Sequence, residues 1–202
     1  MKGIIMSDVV YDYCGGLYIN LTNRCPCACE FCIKNFTDNL GSADSLFLDK
    51  EPTVDEVMEE IGQWNMDDYD EVVFCGYGEP TQRLPELLEI AGKVKKEYDN
   101  KRIRINTIGL ADMIWQEETT PKLEGLIDSV NVSMNEADAE KFEELCHPIY
   151  GQEAYDAMLK YIADVKKYVP EVSTSVVGVI SQDSIEKCRQ KAEELGVRFR
   201  VR

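Results

Sequence analysis

Positive charge is scarce in this sequence. Its 22 Lys and Arg residues stand against 38 Asp and Glu residues, which gives a formal net charge of −16 at pH 7. Nucleic-acid backbones and anionic membrane surfaces are bound through clustered Lys and Arg side chains, so neither is expected as a partner. Pro (7) and Gly (13) are also few, while hydrophobic residues make up 44% of the chain. This composition excludes a globally disordered protein.

Long apolar runs and linkers are missing as well. No stretch of about 18 apolar residues occurs, and the N-terminal region holds no apolar run of signal-peptide length. We therefore expect a cytoplasmic protein with no membrane contact. No internal repeat, low-complexity segment or Pro/Gly/Ser-rich linker divides the chain, so we expect a single domain over residues 1–202.

Cysteine, by contrast, is abundant. The chain has eight cysteines, and Cys25, Cys27, Cys29 and Cys32 fall within eight consecutive positions. Because no secretion signal is present, this crowding favours thiolates that bind a metal over disulfides. The remaining cysteines are expected to be core thiols: Cys14, Cys75, Cys146 and Cys188.

Strand and helix patterns alternate along the chain. The helical patterns have recognisable start signals, such as the capping box Thr53-Val-Asp-Glu56 and the segment Asp183-Ser-Ile-Glu186, which opens a helix predicted to stop at Gly196. Further helices are predicted around Leu84–Val94, over Ala137–Leu145 and over Gln152–Tyr168. This βα order predicts a mostly parallel sheet. The six predicted strands are Leu17–Thr22, Glu71–Cys75, Arg102–Thr107, Ser129–Met134, Val172–Ile180 and Val197–Arg202.

Several of these strands alternate polar and apolar residues, as in Ser129, Asn131 and Ser133 against Val130 and Val132. The helices need the apolar face, so the polar face is expected to look into a wet concavity. A closed eight-stranded barrel takes about 250 residues. The length therefore favours an α/β fold of the partial (βα)6 type, an incomplete TIM-type barrel. An antiparallel sheet with one solvated face remains the alternative.

The cysteine cluster follows the first predicted strand directly, in a loop over residues 23–35 at the carboxyl ends of the strands. Cys25, Cys29 and Cys32 have the spacing C-x3-C-x2-C, and three thiolates on one loop can hold three corners of a [4Fe–4S] cube. The fourth iron is then open to a substrate or cosubstrate. Zinc held by these three and Cys27 is the alternative, although the spacing is tighter than in structural zinc sites.

Two motifs resemble one family. The C-x3-C-x2-C run with Phe31 before its last cysteine is similar to the radical S-adenosylmethionine (SAM) enzymes, and so is Cys75-Gly-Tyr-Gly-Glu-Pro-Thr81, which stands where that family has Gly-Gly-Glu-Pro. The resemblance covers the whole chain. Within the family, the cysteine run, the short length and the ending Arg-Phe-Arg-Val-Arg resemble the small stand-alone TatD-associated radical SAM proteins. The chain departs from the family at Asn106-Thr107-Ile108-Gly109, where Thr-Asn-Gly is frequent.

The resemblance implies a function and two cofactors. SAM binds the open iron of a [4Fe–4S] cluster, and a flavodoxin- or ferredoxin-type reductant supplies the electron that cleaves SAM to a 5′-deoxyadenosyl radical. The expected cluster ligands are Cys25, Cys29 and Cys32, while Cys27 points away from the cube. No auxiliary cluster is expected. The residues expected to contact SAM are Gly76, Gly78, Glu79, Pro80, Asn106, Ser133, Asn135 and Gly178.

The residue types at most of these positions suit a contact with SAM. Gly76 and Gly78 let the backbone approach the methionyl end of SAM, and Glu79 offers a carboxylate to its ammonium group. A tight turn with a solvated acid is the alternative for this motif. Ser133 and Asn135 are candidates for the ribose hydroxyls or the methionyl carboxylate. Asn106 is a similar candidate, and Gly178 falls where the family places adenine.

Arginines on the predicted inner face indicate the substrate class. Five of them in an acidic protein need anions as partners. Salt bridges at the barrel floor are the simplest role for Arg102 and Arg198, whereas Arg104, Arg200 and Arg202 are candidate ligands of an anionic substrate. The predicted function is therefore a radical SAM enzyme acting on an unidentified small or peptide-borne anionic substrate. A glycyl-radical activase and a non-catalytic iron–sulfur or zinc protein are the alternatives. His147 is expected to pack at a helix end.

Overall fold

A computed structural model describes residues 8–99 and 101–202. They form one seven-stranded sheet whose strands lie side by side in chain order, and the sheet is not closed into a barrel. The first pair of strands is antiparallel and all later pairs are parallel. The strands are β1 (Val10–Tyr13), β2 (Gly16–Ile19), β3 (Glu71–Phe74), β4 (Arg102–Thr107), β5 (Ser129–Ser133), β6 (Glu171–Val176) and β7 (Arg198–Val201).

Helices connect most of the parallel strands. Their bounds are α1 (Val54–Ile61), α2 (Leu84–Glu97), α3 (Ala111–Trp115), α4 (Ala139–Cys146), α5 (Glu153–Val165) and α6 (Gln182–Leu195). The predicted α/β partial-barrel class is confirmed, because six parallel strands alternate with helices in an open sheet. No helix among the described residues has the length and apolar character that a membrane span needs.

The first strand of the sheet was not predicted. β1 forms a hairpin with β2, and the connecting turn places Cys14 at φ 50° and Gly15 at φ 79°. Only four residues long and interrupted by Asp12, β1 gives a weak alternation signal. The predicted first strand Leu17–Thr22 also stops early, because β2 ends at Ile19 and the chain then continues into the cysteine loop.

The starts of α1 and α6 are explained by hydrogen bonds of their N-cap side chains. At α1 the predicted capping box is present: the Thr53 hydroxyl accepts from the Glu56 amide, and the Glu56 carboxylate accepts from the Thr53 amide. At α6 the predicted start was wrong by two residues, because Ser181 is the N-cap and accepts from the Ser184 amide at 3.1 Å. The predicted end is confirmed, since Gly196 adopts the left-handed conformation at φ 65°.

The apolar face of the sheet packs against the helices, as predicted. Ile103 and Ile105 of β4 and Val130 and Val132 of β5 are fully buried in the main core. On the opposite face the polar residues stand in register, with Asn106 opposite Asn131 and Asn131 opposite Ser173. The strand alternation therefore assigned the two faces of the central strands correctly.

The polar face is not wet along its whole width. A second apolar cluster covers this face over β2 and β3. In it Tyr11, Tyr18 and Val73 pack with Tyr77 and with Leu46, which lies in the loop between β2 and α1. Tyr11 and Tyr18 have ring centroids 5.4 Å apart. The prediction of a continuous wet concavity was wrong here, because these aromatic side chains bury their rings instead of lining an open cleft.

Candidate functional site

The cysteine loop is held against the end of α4. The amides of Ala28 and Glu30 donate to the carbonyls of Cys146 and Leu145 at 3.0 and 3.2 Å, and the Ile149 amide donates to the Pro26 carbonyl at 2.9 Å. These bonds flank Cys29 on both sides. The loop therefore has a defined path even though its only regular element among the described residues is a 3-10 turn at Ile33–Asn35.

The thiols of this loop are close neighbours. Cys25, Cys29 and Cys32 are half-buried, whereas Cys27 is buried. Hydrogen bonds to Cys25 and Cys29, together with burial, raise the pKa of Cys27. Hydrogen bonds from Cys146 and Cys27 lower the pKa of Cys29 to about 4. The loop thus gives the two cysteines different environments, which raise the pKa of buried Cys27 and lower that of half-buried Cys29.

The donor set fits an iron–sulfur cube. Among the described residues, no three Cys, His, Asp or Glu side chains converge closely enough to hold a single metal ion. A [4Fe–4S] cube makes a different demand, because each thiolate binds a different iron. Three partly accessible thiols on one short loop meet that demand chemically.

The two glycines after β3 allow a close approach of backbones. A Cβ at Gly78 would lie 2.2 Å from the Thr22 carbonyl oxygen, and one at Gly76 would lie 2.0 Å from Asn20 Oδ1. Both glycines therefore pack against residues 20–24, which lead into the cysteine loop. These glycines were predicted to make room for a ligand that approaches the backbone. The structure instead shows that this neighbouring segment already requires them.

Glu79 is an internal side chain in this structure. It is 3% exposed, and its Oε1 accepts from the Thr81 and Thr107 hydroxyls at 2.6 Å each. Oε2 accepts from the Ile108 amide at 2.8 Å. Burial raises the pKa of Glu79, against the lowering effect of these hydrogen bonds. The alternative of a solvated acid in this turn does not hold. A contact with the SAM ammonium stays a prediction.

The other predicted SAM contacts lie at the carboxyl ends of the strands. Pro80 is buried at the start of a 3-10 turn. Asn106 accepts from Arg104 Nη1 at 3.0 Å. Ser133 accepts from Arg202 Nη2 at 3.0 Å. Gly178 is exposed beyond β6, and its amide donates to the Arg202 carbonyl at 3.0 Å.

The inward-facing arginines divide into two groups. Arg102 and Arg198 both pair with Glu171, which is the floor salt bridge expected for them. Arg104 is also paired, since Nε and Nη2 reach the two oxygens of Glu71 at 3.1 and 2.7 Å. Burial acts to lower the pKa of Arg104, but the hydrogen bonds and charges of Glu71 and Tyr18 together outweigh it, and the pKa is raised. Its guanidinium is therefore already occupied.

Arg200 and Arg202, at the carboxyl end of β7, differ from the arginines that pair with Glu171 or Glu71. Within the described part of the chain, neither has a carboxylate within salt-bridge distance, and both are exposed. Although Arg202 is exposed as a whole residue, its guanidinium is partly desolvated, and this desolvation with the nearby charge of Arg200 lowers the pKa of Arg202 despite the opposing effect of Cys75. Two neighbouring cations with no acid between them suit an anionic group.

A family comparison decides the class of the protein. The family model of the radical SAM superfamily matches residues 19–192. The chain belongs to the radical SAM superfamily. The predicted superfamily is confirmed, and the predicted cofactor pair of SAM and a [4Fe–4S] cluster agrees with the groups held by solved radical SAM proteins.

Solved radical SAM proteins share the fold. Streptococcus suis SuiB bound to SAM is 17% identical, with a TM-score of 0.66 over 91% of this chain and 39% of SuiB. A radical SAM methyltransferase from Sphaerobacter thermophilus is 18% identical, with a TM-score of 0.60 over 95% of this chain and 57% of that one. Kitasatospora setae TsrM, a methyltransferase with cobalamin and a [4Fe–4S] cluster bound, is 11% identical, with a TM-score of 0.54 over 88% and 35%.

This radical SAM chain spans 35% to 57% of the length of those three solved proteins. No curated protein sequence matches it significantly. The fold is thus shared at low sequence identity, and the site residues have to be argued from the chain itself.

Two residues of the radical SAM site were assigned other roles or missed. Cys146 was expected to be a core thiol and is fully buried in the core, but its carbonyl also accepts from the Ala28 amide of the cysteine loop. The core-thiol prediction was wrong for Cys14, which is exposed in the turn between β1 and β2. Glu71, which occupies Arg104, was not singled out. The sequence does contain a signal for this pair, because Glu71 is an acidic residue at the start of β3 on the same face of the sheet as Arg104. No local pattern places Cys146 beside the cysteine loop. His147, expected at a helix end, does cap α4, in the left-handed conformation at φ 45°.

Proposed function

We propose that this radical SAM enzyme binds one [4Fe–4S] cluster through Cys25, Cys29 and Cys32, and cleaves SAM reductively to act on an anionic substrate. The observation that carries the proposal is the arrangement of these half-buried thiols on a loop fixed at the carboxyl edge of the sheet. When bound, the reduced cluster supplies the electron for cleavage, and the radical chemistry is the cofactor's own.

The chain's residues hold and shield these groups. The three thiols take one iron each, while buried Cys27 stays outside the ligand set. Gly76 and Gly78 keep the loop after β3 against residues 20–24. SAM would be held beside this loop and the ends of β4 and β5. Asn106, Ser133, Asn135 and Gly178 remain the candidate contacts along that rim.

The substrate is proposed to carry a carboxylate or phosphate. Arg200 and Arg202 support this, because they are neighbouring cations at the mouth and the described residues give neither a carboxylate partner. Arginine binds such anions in a bidentate manner. Arg104 is less available, because Glu71 occupies its guanidinium.

Three finer assignments belong to the same proposal. The cysteine run and the Arg-rich ending favour the TatD-associated group of radical SAM proteins, with a single domain over residues 1–202. A flavodoxin- or ferredoxin-type protein is the proposed reductant, since the cluster has to be reduced before SAM is cleaved. All eight cysteines carry free thiols, which supports a reducing compartment such as the cytoplasm.

Anaerobic reconstitution tests the proposal. The wild-type chain should take up about four irons per chain, and after reduction with dithionite it should convert SAM to 5′-deoxyadenosine. Replacement of Cys25, Cys29 or Cys32 by Ala should abolish the cluster absorbance and the product. The matched control Cys27→Ala should keep both, because its thiol is buried and hydrogen-bonded to its neighbours.

Two results would overturn it. One is a single zinc per chain with no iron–sulfur absorbance. The other is an intact [4Fe–4S] cluster that never cleaves SAM under strong reductant.

A further inference from the structure

β7 is an open edge of the sheet. Among the described residues it pairs only with β6, and the backbone of Arg202 is bonded to that side: its amide donates to the Val176 carbonyl at 2.8 Å, and its carbonyl accepts from the Gly178 amide at 3.0 Å. Successive residues of a strand turn their backbone groups to opposite sides, so those of Phe199 and Val201 face away from β6. This edge therefore offers two donors and two acceptors to a further strand.

The opposite edge of the sheet is closed by the chain itself. Ser42 lies beside β1, where its amide donates to the Asp12 carbonyl at 2.9 Å and its hydroxyl accepts from the Asp12 amide at 2.8 Å. The Val10 amide on the same side of β1 donates to the Glu60 carboxylate at 2.9 Å. The fold thus satisfies the outward backbone groups at β1. Within the described chain it provides no such cover at β7.

Positive charge is concentrated along the β7 edge. Arg198 and Arg200 of β7 and the following Arg202 share one face of the sheet, because they stand at alternate positions. Among the described residues, Glu171 is the only acid that pairs with any of them, and it also pairs with Arg102. In a chain with a net charge of −16, this is a local excess of cations. Charge complementarity therefore favours an acidic occupant.

We propose that β7 binds an extended peptide segment with acidic residues at alternate positions, which adds to the sheet as an eighth strand. Backbone bonds to Phe199 and Val201 give the affinity, while the acidic side chains meet the arginines and select the sequence. The intervening side chains lie beside Val201, which is 43% exposed on the other face, so apolar residues suit those positions. A second copy of β7 does not suit this edge, since its arginines would face these arginines.

The inference narrows the anionic substrate of the proposed function to a peptide, and it rests on that function for this assignment alone. Arg202 connects the edge to the site, because its Nη2 donates to Ser133 at the end of β5 at 3.0 Å. A peptide bound along β7 therefore reaches the carboxyl edge of the sheet, where the cysteine loop lies. The binding step itself needs neither the cluster nor SAM.

A synthetic peptide tests the inference on the full chain. The probe is fluorescein-labelled Gly-Val-Glu-Val-Glu-Val-Glu-Val-Gly, and the matched peptide has Gln in place of every Glu. Fluorescence anisotropy should show that the Glu peptide binds and that salt weakens its binding. The Gln peptide should bind at least roughly tenfold more weakly, because it lacks the charge-assisted bonds to arginine. Equal affinities of the two peptides, or no binding of the Glu peptide, would overturn the inference.

A charge reversal locates the peptide on the arginine face. Arg200→Glu places an acid beside the acidic peptide and should weaken its binding at least roughly tenfold. The matched control is Lys187→Glu, the same change of charge at an exposed residue of α6, on the opposite side of the sheet. It should leave the affinity nearly unchanged. Equal losses in the two variants would mean that only the net charge of the molecule matters, which contradicts the proposed edge.

Hydrogen exchange followed by NMR tests the strand addition itself. In the complex the amides of Phe199 and Val201 should exchange at least roughly tenfold more slowly, because they become donors to the added strand. A bound peptide that leaves both rates unchanged would be held by side chains alone, and the inference would be wrong. A dimer joined through β7 without peptide would overturn it too.

The outcomes separate this inference from the proposed function. A chain that cleaves SAM but does not bind the Glu peptide contradicts the inference alone. A chain that binds the peptide along β7 but takes up no cluster supports the strand addition and contradicts the proposed function.

Discussion

Glu79 accepts a hydrogen bond from Thr107, with 2.6 Å between Oε1 and Oγ1. This bond joins the loop that follows β3 to the end of β4. The same carboxylate also accepts from the Ile108 amide. In this radical SAM chain, the glutamate of the family motif is thus part of the framework around the site.

Glu79→Gln is expected to destabilise the fold. Each carboxylate oxygen accepts from a backbone amide, Oε1 from Thr81 and Oε2 from Ile108, so the NH2 group of glutamine would face one of these donors in either orientation. An unpaired buried donor costs about 1–3 kcal/mol. Urea unfolding followed by circular dichroism measures the loss. Glu89→Gln, at a carboxylate that is 58% exposed in its pair with Lys93, serves as the control and should be near neutral. Equal stability of both variants would contradict the internal role of Glu79.

Gly78→Ala is expected to displace the cysteine loop. Its Cβ would lie 2.2 Å from the Thr22 carbonyl, and overpacking of this kind costs about 1–3 kcal/mol. The variant should lose stability and bind less iron on reconstitution. Gly92→Ala is the matched change within α2, where the nearest atom is 3.9 Å away. A gain of up to about 1 kcal/mol is expected there from helix propensity. Full iron content in Gly78→Ala would show that the close approach is not needed.

Replacement of Arg104 by Ala should lower the free energy of unfolding more than replacement of Arg200 by Ala. Arg104→Ala breaks a partly buried pair with Glu71, whose side-chain exposures are 14% and 31%. A loss of about 1–3 kcal/mol in unfolding free energy is expected. Arg200→Ala should leave stability nearly unchanged, because the residue is exposed. A double-mutant cycle of Arg104→Ala with Glu71→Ala measures the coupling. No coupling would mean that the pair does not stabilise the fold.

Ser181→Ala tests the observed start of α6. The hydroxyl accepts from the Ser184 amide, and loss of an N-cap costs about 0.5–2 kcal/mol. Asp183→Ala, at the residue that the sequence pattern favoured, should have a smaller effect because Asp183 is exposed and pairs only with Lys187. Thermal unfolding of the two variants compares them. A larger effect at Asp183 would restore the earlier interpretation of the helix start.

Local patterns predicted most of the framework. The alternation in β4 and β5 assigned their two faces, since one face has to bury Ile103 and Val130 against helices. The capping box at Thr53 needs residues only three positions apart, so it is readable from the sequence. The C-x3-C-x2-C spacing likewise lies within one loop. Features of this kind depend on short-range geometry.

Long-range packing accounts for what the sequence could not predict. Tyr11 and Tyr18 cover the polar face because β1 folds back on β2 and residues such as Leu46 pack above them. Cys146 lies beside Cys29 because α4 ends at the cysteine loop. Nothing near Cys146 in the chain signals that contact. Thr107 and Ile108 likewise reach Glu79 only when β3 and β4 pair.

The open sheet leaves β7 as an edge strand. An edge strand presents backbone amides and carbonyls that another chain can extend, which is a common route to aggregation. β7 is short and carries Arg198 and Arg200 at alternate positions, with Arg202 directly after it. Charged side chains at such an edge oppose pairing between copies. The arginines proposed to bind an anion at this end of the sheet therefore also oppose pairing of β7 between copies, and their joint replacement should be accompanied by strand-mediated aggregation.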